Sequence, residues 1–418
     1  MDKETVYDIL LSILSGRKDR TFIERLENLS TDAWEFILSE SNKHRVSSLV
    51  YKKLSLMSNE RIILREVIGE MRREYLLNSG RNMLLFSGLR NILAALQGSG
   101  IQALALKGAH LADSVYKNRA LRPMGDIDLL IRRRDLERSV SVLGKIGFNP
   151  SKKFFIDDEI SVHRDIPALH NREGIVLEIH WNLMDPDSPV TIMPEELWER
   201  AEHKNVDSMD LLVLSPEDLL IHVCIHASLH HRFASGLLHL CDIAEILSNY
   251  GTALDWGKIY SIAKKWNATR SLYLSLLLTK NLLGAGVPEA VLDQCKPDQT
   301  DPKLIEWSKE LVIEGWLNEV PMTCNIPKIV GPRTLAERYR NFMGILFPSK
   351  KVLATKYAVR SDSPLLYYYY LVRPRDILVR YASTLLKLMS REKNVTKIYS
   401  LVSKSNTIYE WLSNSQYH

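Results

Sequence analysis

At 418 residues, with 45% apolar and 25% charged side chains, the chain has the make-up of a folded protein long enough for more than one hydrophobic core. That balance excludes a disordered or fibrous chain, and no run reaches the roughly 18 uncharged apolar residues that a membrane-spanning helix needs. The net charge of +5 is uneven: residues 331–418 hold 15 Lys and Arg against 5 Asp and Glu, a balance of +10, so residues 1–330 sum to −5.

Four scattered cysteines (Cys224, Cys241, Cys295, Cys324) form no CxxC pair, which argues against a disulfide framework or a zinc ribbon. The first twenty residues lack the basic start and continuous apolar run of a secretory signal. The expectation is a cytoplasmic protein.

In chain order, residues 1–97 read as a helical region. Apolar residues recur at helical spacing in Val6, Ile9, Leu10, Ile13 and Leu14, and again through Trp34, Ile37 and Leu38. From Asn59 to Leu96 the pattern runs without proline, which predicts one or two long helices before Gly98-Ser99-Gly100 breaks them. The pattern then changes. Gln102 to Leu106 is a short apolar run that predicts a buried strand turning at Lys107-Gly108, and Ala109 to Tyr116 reads as a helix. Ile127 to Ile131 predicts a second strand, Asp135 to Ile146 a helix, and Ile175 to Trp181 a third strand. Residues 98–213 therefore form an expected α/β core between helical regions, an α+β chain overall. Ser215-Pro216-Glu217-Asp218 is a helix start, with a serine cap, proline in the first turn and acids beside it. A helical domain over 214–330 and a basic, tyrosine-rich helical tail over 331–418 complete the expected organisation. The tail holds ten of the 17 tyrosines, including Tyr367 to Tyr370, and could contact nucleic acid or an anionic membrane.

The chemistry sits around Gly125-Asp126-Ile127-Asp128. Residues two apart on a strand share a face, so Asp126 and Asp128 put two carboxylates side by side, a pair that favours a hard divalent cation such as Mg²⁺ or Mn²⁺. Glu178, inside the apolar run Val176 to Ile179, is the natural third ligand. Three such carboxylates suit a two-metal, in-line phosphoryl displacement. Lys107 and Gly108 stand at a strand-to-helix turn, where a lysine and close backbone approach can meet a phosphate. Arg119 and Arg122, in the intervening loop, could reach the same phosphates or pair with the acids. His180 lies on the strand face of Glu178 and could orient a bound water or the acceptor.

His222, His226 and His230 recur at four-residue spacing, with His231 beside them. His222 and His226 could ligate zinc at i and i+4, but Val223 stands where an HExxH motif has glutamate. A His-Asp dyad of the phosphohydrolase kind is also absent, Cys241-Asp242 being the nearest candidate.

The segments LALKGAHLADSVY (104–116), LRPMGDIDLLI (121–131), LEIHWNL (177–183), SPEDLLIHVCIHASLHHRF (215–233) and HLCDIAEIL (239–247) resemble the nucleotidyltransferase superfamily that includes DNA polymerase beta. Within it they are similar to the group labelled uncharacterised or putative nucleotidyltransferase. The resemblance implies a small mixed sheet flanked by helices, with Asp126, Asp128 and Glu178 as metal ligands. It also implies a nucleoside triphosphate donor, with ATP expected, whose monophosphate passes to an acceptor hydroxyl with release of pyrophosphate. The superfamily's usual Gly-Ser turn is replaced here by Lys107-Gly108. The acceptor can be a small molecule, a peptide or protein, or RNA held by the basic tail. An inactive nucleotide-binding or scaffold protein of the same fold is the alternative from another class.

Overall fold

The structure, a computed structural model, describes residues 2–57, 65–298, 300–315, 335–389 and 393–413. Four short helices open the chain: α1 (Lys3–Leu14), α2 (Arg20–Glu27), α3 (Thr31–Lys43) and α4 (Ser47–Ser55). Asp2, Asp19 and Ser30 cap the first three by accepting from the backbone N–H of Thr5, Phe22 and Ala33. The expected long helix is α5 (Arg65–Gly98). Its predicted start at Asn59 lies outside the described residues.

Next come β1 (Ala103–Ala105), α6 (Lys107–His110) with a π-helical turn over Leu111–Val115, β2 (Ile127–Ile131) and α7 (Leu136–Lys145). β3 (Asn149–Pro150), α8 (Ile156–Glu159), β4 (Leu169–His170), β5 (Val176–His180), α9 (Pro194–Glu199), β6 (Glu202–Val206) and β7 (Met209–Val213) follow. The strands form one mixed sheet in the order β3-β4-β5-β2-β1-β7-β6, with β2/β5 and β1/β7 parallel and the other pairs antiparallel. The three strands read from sequence lie at its centre. The β6–β7 hairpin was not anticipated. Its two-residue turn puts Asp207 (φ 50°) and Ser208 (φ 67°) in the left-handed region, the geometry of a tight hairpin of matching twist.

Alternation along the central strands decides what each sheet face meets. Ile127, Leu129 and Ile131 of β2, with Leu177 and Ile179 of β5, pack in one core with Leu85 to Leu96 of α5 and Leu136 and Leu143 of α7. The intervening residues Asp128, Leu130, Glu178 and His180 must then face the other way. Leu130 joins a second core, made with helices from both ends of the chain. These include α1 to α4 and α10 (Pro216–Ile225), α11 (Leu238–Tyr250), α12 (Trp256–Lys265), α13 (Thr269–Leu283), α14 (Glu289–Cys295) and α15 (Pro302–Glu314). Trp34 and Trp266 are its largest buried side chains. The N-terminal helices and those after the sheet thus share one interior.

The tail is helical at Leu335–Leu346, Lys350–Tyr357, Leu365–Met389 and Lys393–Ser413. The last helix packs on α15, where Lys397 pairs with Glu314 at 2.8 Å and Leu401, Val402, Ile408 and Leu412 enter the second core. Tyr367 and Tyr368 are exposed. Among the described residues, no helix is long and apolar enough to cross a membrane, and Cys224, Cys241 and Cys295 are buried and unpaired.

Candidate functional site

Parallel pairing of β2 with β5 sets Asp128 directly beside Glu178 and Leu130 beside His180. Two carboxylates and an imidazole therefore share one patch of sheet, and Asp126 stands two residues before Asp128 at the strand's start. Asp126, Asp128 and Glu178 line a cavity of about 470 Å³ with Lys107, Arg45, Arg122 and Arg164, closed on the helical side by His226, His230, His231 and His239, while His180 is buried against Asp128.

Asp128 is the most heavily bonded acid. Its Oδ1 accepts from Lys107 Nζ at 2.7 Å and lies 3.0 Å from His180 Nε2. Burial disfavours its charge, but Lys107 and His180 outweigh that and hold the carboxyl well below its usual range. His180 is buried too, which alone would lower its pKa; its hydrogen bond to Asp128 and the Glu178 carboxylate 3.6 Å away raise it instead. Its Nδ1 faces Asp165 at 3.8 Å. Lys107 is delivered by a backbone kink. At φ 38° it sits in the left-handed region, and the Leu106 N–H donates to Asp128 O at 3.0 Å, locking the end of β1 onto β2.

Asp126 is the opposite case. Among the described residues it has no side-chain hydrogen bond or ion pair. Burial first, then the charges of Asp128 and Glu178, push its carboxyl up to about 6. Three acids crowding one wall, one of them unpaired and resisting ionisation, fit the donor chemistry of a hard divalent cation. The atoms of Asp128, Glu178 and His180 that could ligate lie within 4.8 Å of one another, and Asp126 is outside that group.

The remaining sequence candidates divide. Arg122 lines the cavity but is committed to Asp242, with Nη2 at 3.0 Å and Nε at 3.2 Å from its carboxylate oxygens. Asp242 also accepts from Tyr116 Oη at 2.9 Å. Gly108 is buried beneath this arginine, not open to the cavity: a Cβ there would stand 2.9 Å from Arg122 Nη1. Arg119 lies outside the cavity lining, stacked on Phe86 at 3.9 Å and paired with Asp113 and Asp207. Two arginines absent from the sequence reading take part, Arg45 from the α3–α4 turn and Arg164 from the segment before β4. A left-handed residue, Arg45 at φ 58°, ends α3, but sequence offered no signal linking it to residue 126.

Of the histidines, His222 is buried below the cavity, and neither ring nitrogen has a partner among the described residues. His226 Nδ1 lies 3.1 Å from His230 Nδ1, and His226 Nε2 lies 2.9 Å from His231 Nε2. Burial drives the pKa of His226, His230 and His231 down, so these rings are neutral at physiological pH. His239 was not singled out in the sequence.

No curated protein and no solved structure matches the chain. A family model described as uncharacterised nucleotidyltransferase matches residues 30–284, which takes in α3 to α5, the whole sheet and the helices that close the cavity. That match covers more than half of the chain, and the protein belongs to this nucleotidyltransferase family.

Proposed function

We propose that the cavity binds a nucleoside triphosphate and transfers its nucleoside monophosphate to an acceptor hydroxyl. The observation that carries this reading is the convergence of Asp126, Asp128 and Glu178 with Lys107, Arg45 and Arg164 in one space. Acids alone would repel a triphosphate and cations alone would only bind it. Both together suit a reaction in which negative charge moves.

The acceptor oxygen bonds to the α-phosphorus as the bond from that phosphorus to the bridging oxygen breaks, and pyrophosphate leaves. Asp126, Asp128 and Glu178 are the residues that would hold Mg²⁺ or Mn²⁺, which supplies Lewis-acid stabilisation of the phosphoryl charge when bound. Glu178, about a third exposed in its side chain, is open to the acceptor and suited to take the hydroxyl proton. His180 and Lys107 hold the Asp128 carboxylate in one orientation from two sides. Arg45 and Arg164 grip phosphate oxygens. Arg164 is available for this because its own ion pairs, to Asp185 at 3.7 Å and Asp165 at 3.9 Å, are long. ATP is the donor we expect, and the acceptor is a small molecule, a peptide or protein, or RNA.

The Lys107–Asp128 pair favours one competing reading, a protein that binds nucleotides without turning them over, because the lysine already neutralises a catalytic acid. Calorimetry with ATP, GTP, CTP and UTP in the presence of Mg²⁺ tests the binding step. Wild type should bind at least one of them, and Arg164→Ala should weaken that binding by about tenfold or more through loss of a charge-assisted contact. Absence of binding to wild type by all four would sink both readings, whereas binding without pyrophosphate release on any acceptor class would select the second.

A further inference from the structure

We infer that His226, His231 and His239 form a second metal site, for a zinc-class divalent ion, on the helical side of the cavity and separate from the carboxylates. Nothing in the transfer reading requires it.

The three rings come from the π-helical turn after α10, from the loop beyond it and from α11, and their nitrogens lie within 4.8 Å of one another. Their spacing of five and eight residues is not one helical face, so the fold assembles them. Two nitrogens bound to one tetrahedral zinc at about 2.0–2.1 Å lie roughly 3.3 Å apart. The His226 Nε2 to His231 Nε2 separation of 2.9 Å is already close to that. The His239 ring stands 5.0 Å from that of His226 and 4.5 Å from that of His231.

The surroundings aim the rings. His239 is buried, and its Nδ1 lies 3.6 Å from Asp242 Oδ2 without a hydrogen-bond partner among the described residues. A carboxylate behind a histidine is the usual orienting partner of a metal-ligating imidazole, and here it leaves Nε2 for a ligand. Asp242 is itself fixed by Arg122 and Tyr116.

The backbone bends to bring His231 back over His226. The helix widens into a π-turn over His226–His230, and Arg232 and Phe233 then adopt φ of 50° and 59°. Consecutive non-glycine residues there are strained and persist only when their surroundings enforce it. The last helix does so: Arg232 Nη1 donates to Asn406 Oδ1 at 2.6 Å and its guanidinium covers the Tyr409 ring at 4.4 Å.

Three imidazoles with no carboxylate among them select zinc-class ions over Mg²⁺. Three protein ligands on a cavity wall also leave a coordination position for water or a substrate atom, unlike a closed structural site. The site thus offers the acceptor side of the cavity a cation of a different class from the one the carboxylates take.

The test uses the full chain, stripped with a chelator and titrated with Co²⁺. With excess Mg²⁺ present to fill the carboxylates, one equivalent should bind and give the visible absorption of low-coordinate cobalt, displaced by Zn²⁺. Asp126→Asn should bind Co²⁺ as wild type does. His231→Gln and His239→Gln should each weaken binding by about 100-fold or more, at or beyond the limit for losing only an outer partner. X-ray absorption of the zinc-loaded wild type, which needs no variant to fold, should show three imidazole ligands. Folded wild type that retains no Co²⁺, a metal shell dominated by carboxylate oxygen, or unchanged affinity in both folded histidine variants would each overturn the proposal.

Discussion

Asp126→Asn should lower the rate of nucleotidyl transfer by about 10³-fold or more while leaving the metal-free protein at least as stable as wild type. A group that helps a cation stabilise transition-state charge is worth several kcal/mol, and each 1.36 kcal/mol is tenfold in rate. The stability half of the prediction follows from its surroundings. Asp126 has no ion pair or side-chain hydrogen bond to lose among the described residues, and its ionisation is opposed by burial and by the charges of Asp128 and Glu178. A carboxyl raised in the folded state adds no penalty below its ordinary pKa. It opposes folding as the pH rises through that value, and the penalty is complete above about 6. At neutral pH the neutral amide removes that penalty. Steady-state rates set beside urea denaturation at pH 7.5 check both halves. A variant that is inactive because it is unfolded would contradict the account.

The second large effect concerns the scaffold behind the site. Asp242→Ala should destabilise the protein by about 3–5 kcal/mol, the usual loss when one partner of a buried ion pair is removed and the other charge is left uncompensated. Asp242 is fully buried and answers Arg122, Tyr116 and His239 together. Burial alone would raise its carboxyl, but Arg122 and the neighbouring His239 ring hold it down at about 2. Because the folded pKa is depressed, this stabilisation is complete above the ordinary carboxyl range and disappears as the pH falls through about 2. Arg122→Met/Asp242→Leu, which removes both charges, should recover much of the loss. Urea denaturation of the three proteins decides it, and a single-variant loss below about 1 kcal/mol would show that the pair does not hold α11 against the loop before β2.

The centre of the sheet was legible in the sequence for a physical reason. The pleat of β2 and β5 sets Ile127, Leu129, Ile131, Leu177 and Ile179 on one apolar face, and an acid on the other face of a buried strand needs a purpose. That logic led to Asp126, Asp128, Glu178 and His180, and the β2–β5 register sets Glu178 beside Asp128. The rim was not legible. The β6–β7 hairpin carries His203, Asn205 and Asp210 at exposed positions and half-buried Glu202 and Lys204 on the other face of the edge strand, which hides its strand pattern among loop-like residues. Missing that hairpin meant missing Asp207 in its turn, and so the partner that draws Arg119 away from the cavity. Arg45 lines the same cavity as the acids only because the N-terminal helices pack over one sheet face, and Arg164 does so because its segment bridges to β5 at Asp165–His180, contacts between distant segments that local periodicity cannot reveal. The grouping of His231 and His239 with His226 was hidden likewise, because a π-turn and two left-handed residues, not helical spacing, bring these rings together.

The most direct test is equilibrium binding of the four nucleoside triphosphates to wild type and to Asp126→Ala/Asp128→Ala, each with Mg²⁺ and with a chelator. Wild type should bind a triphosphate tightly only with Mg²⁺, and the double variant should bind it weakly and without regard to the metal. Equal, metal-independent binding by both proteins would contradict a carboxylate-held cation at the centre of this cavity.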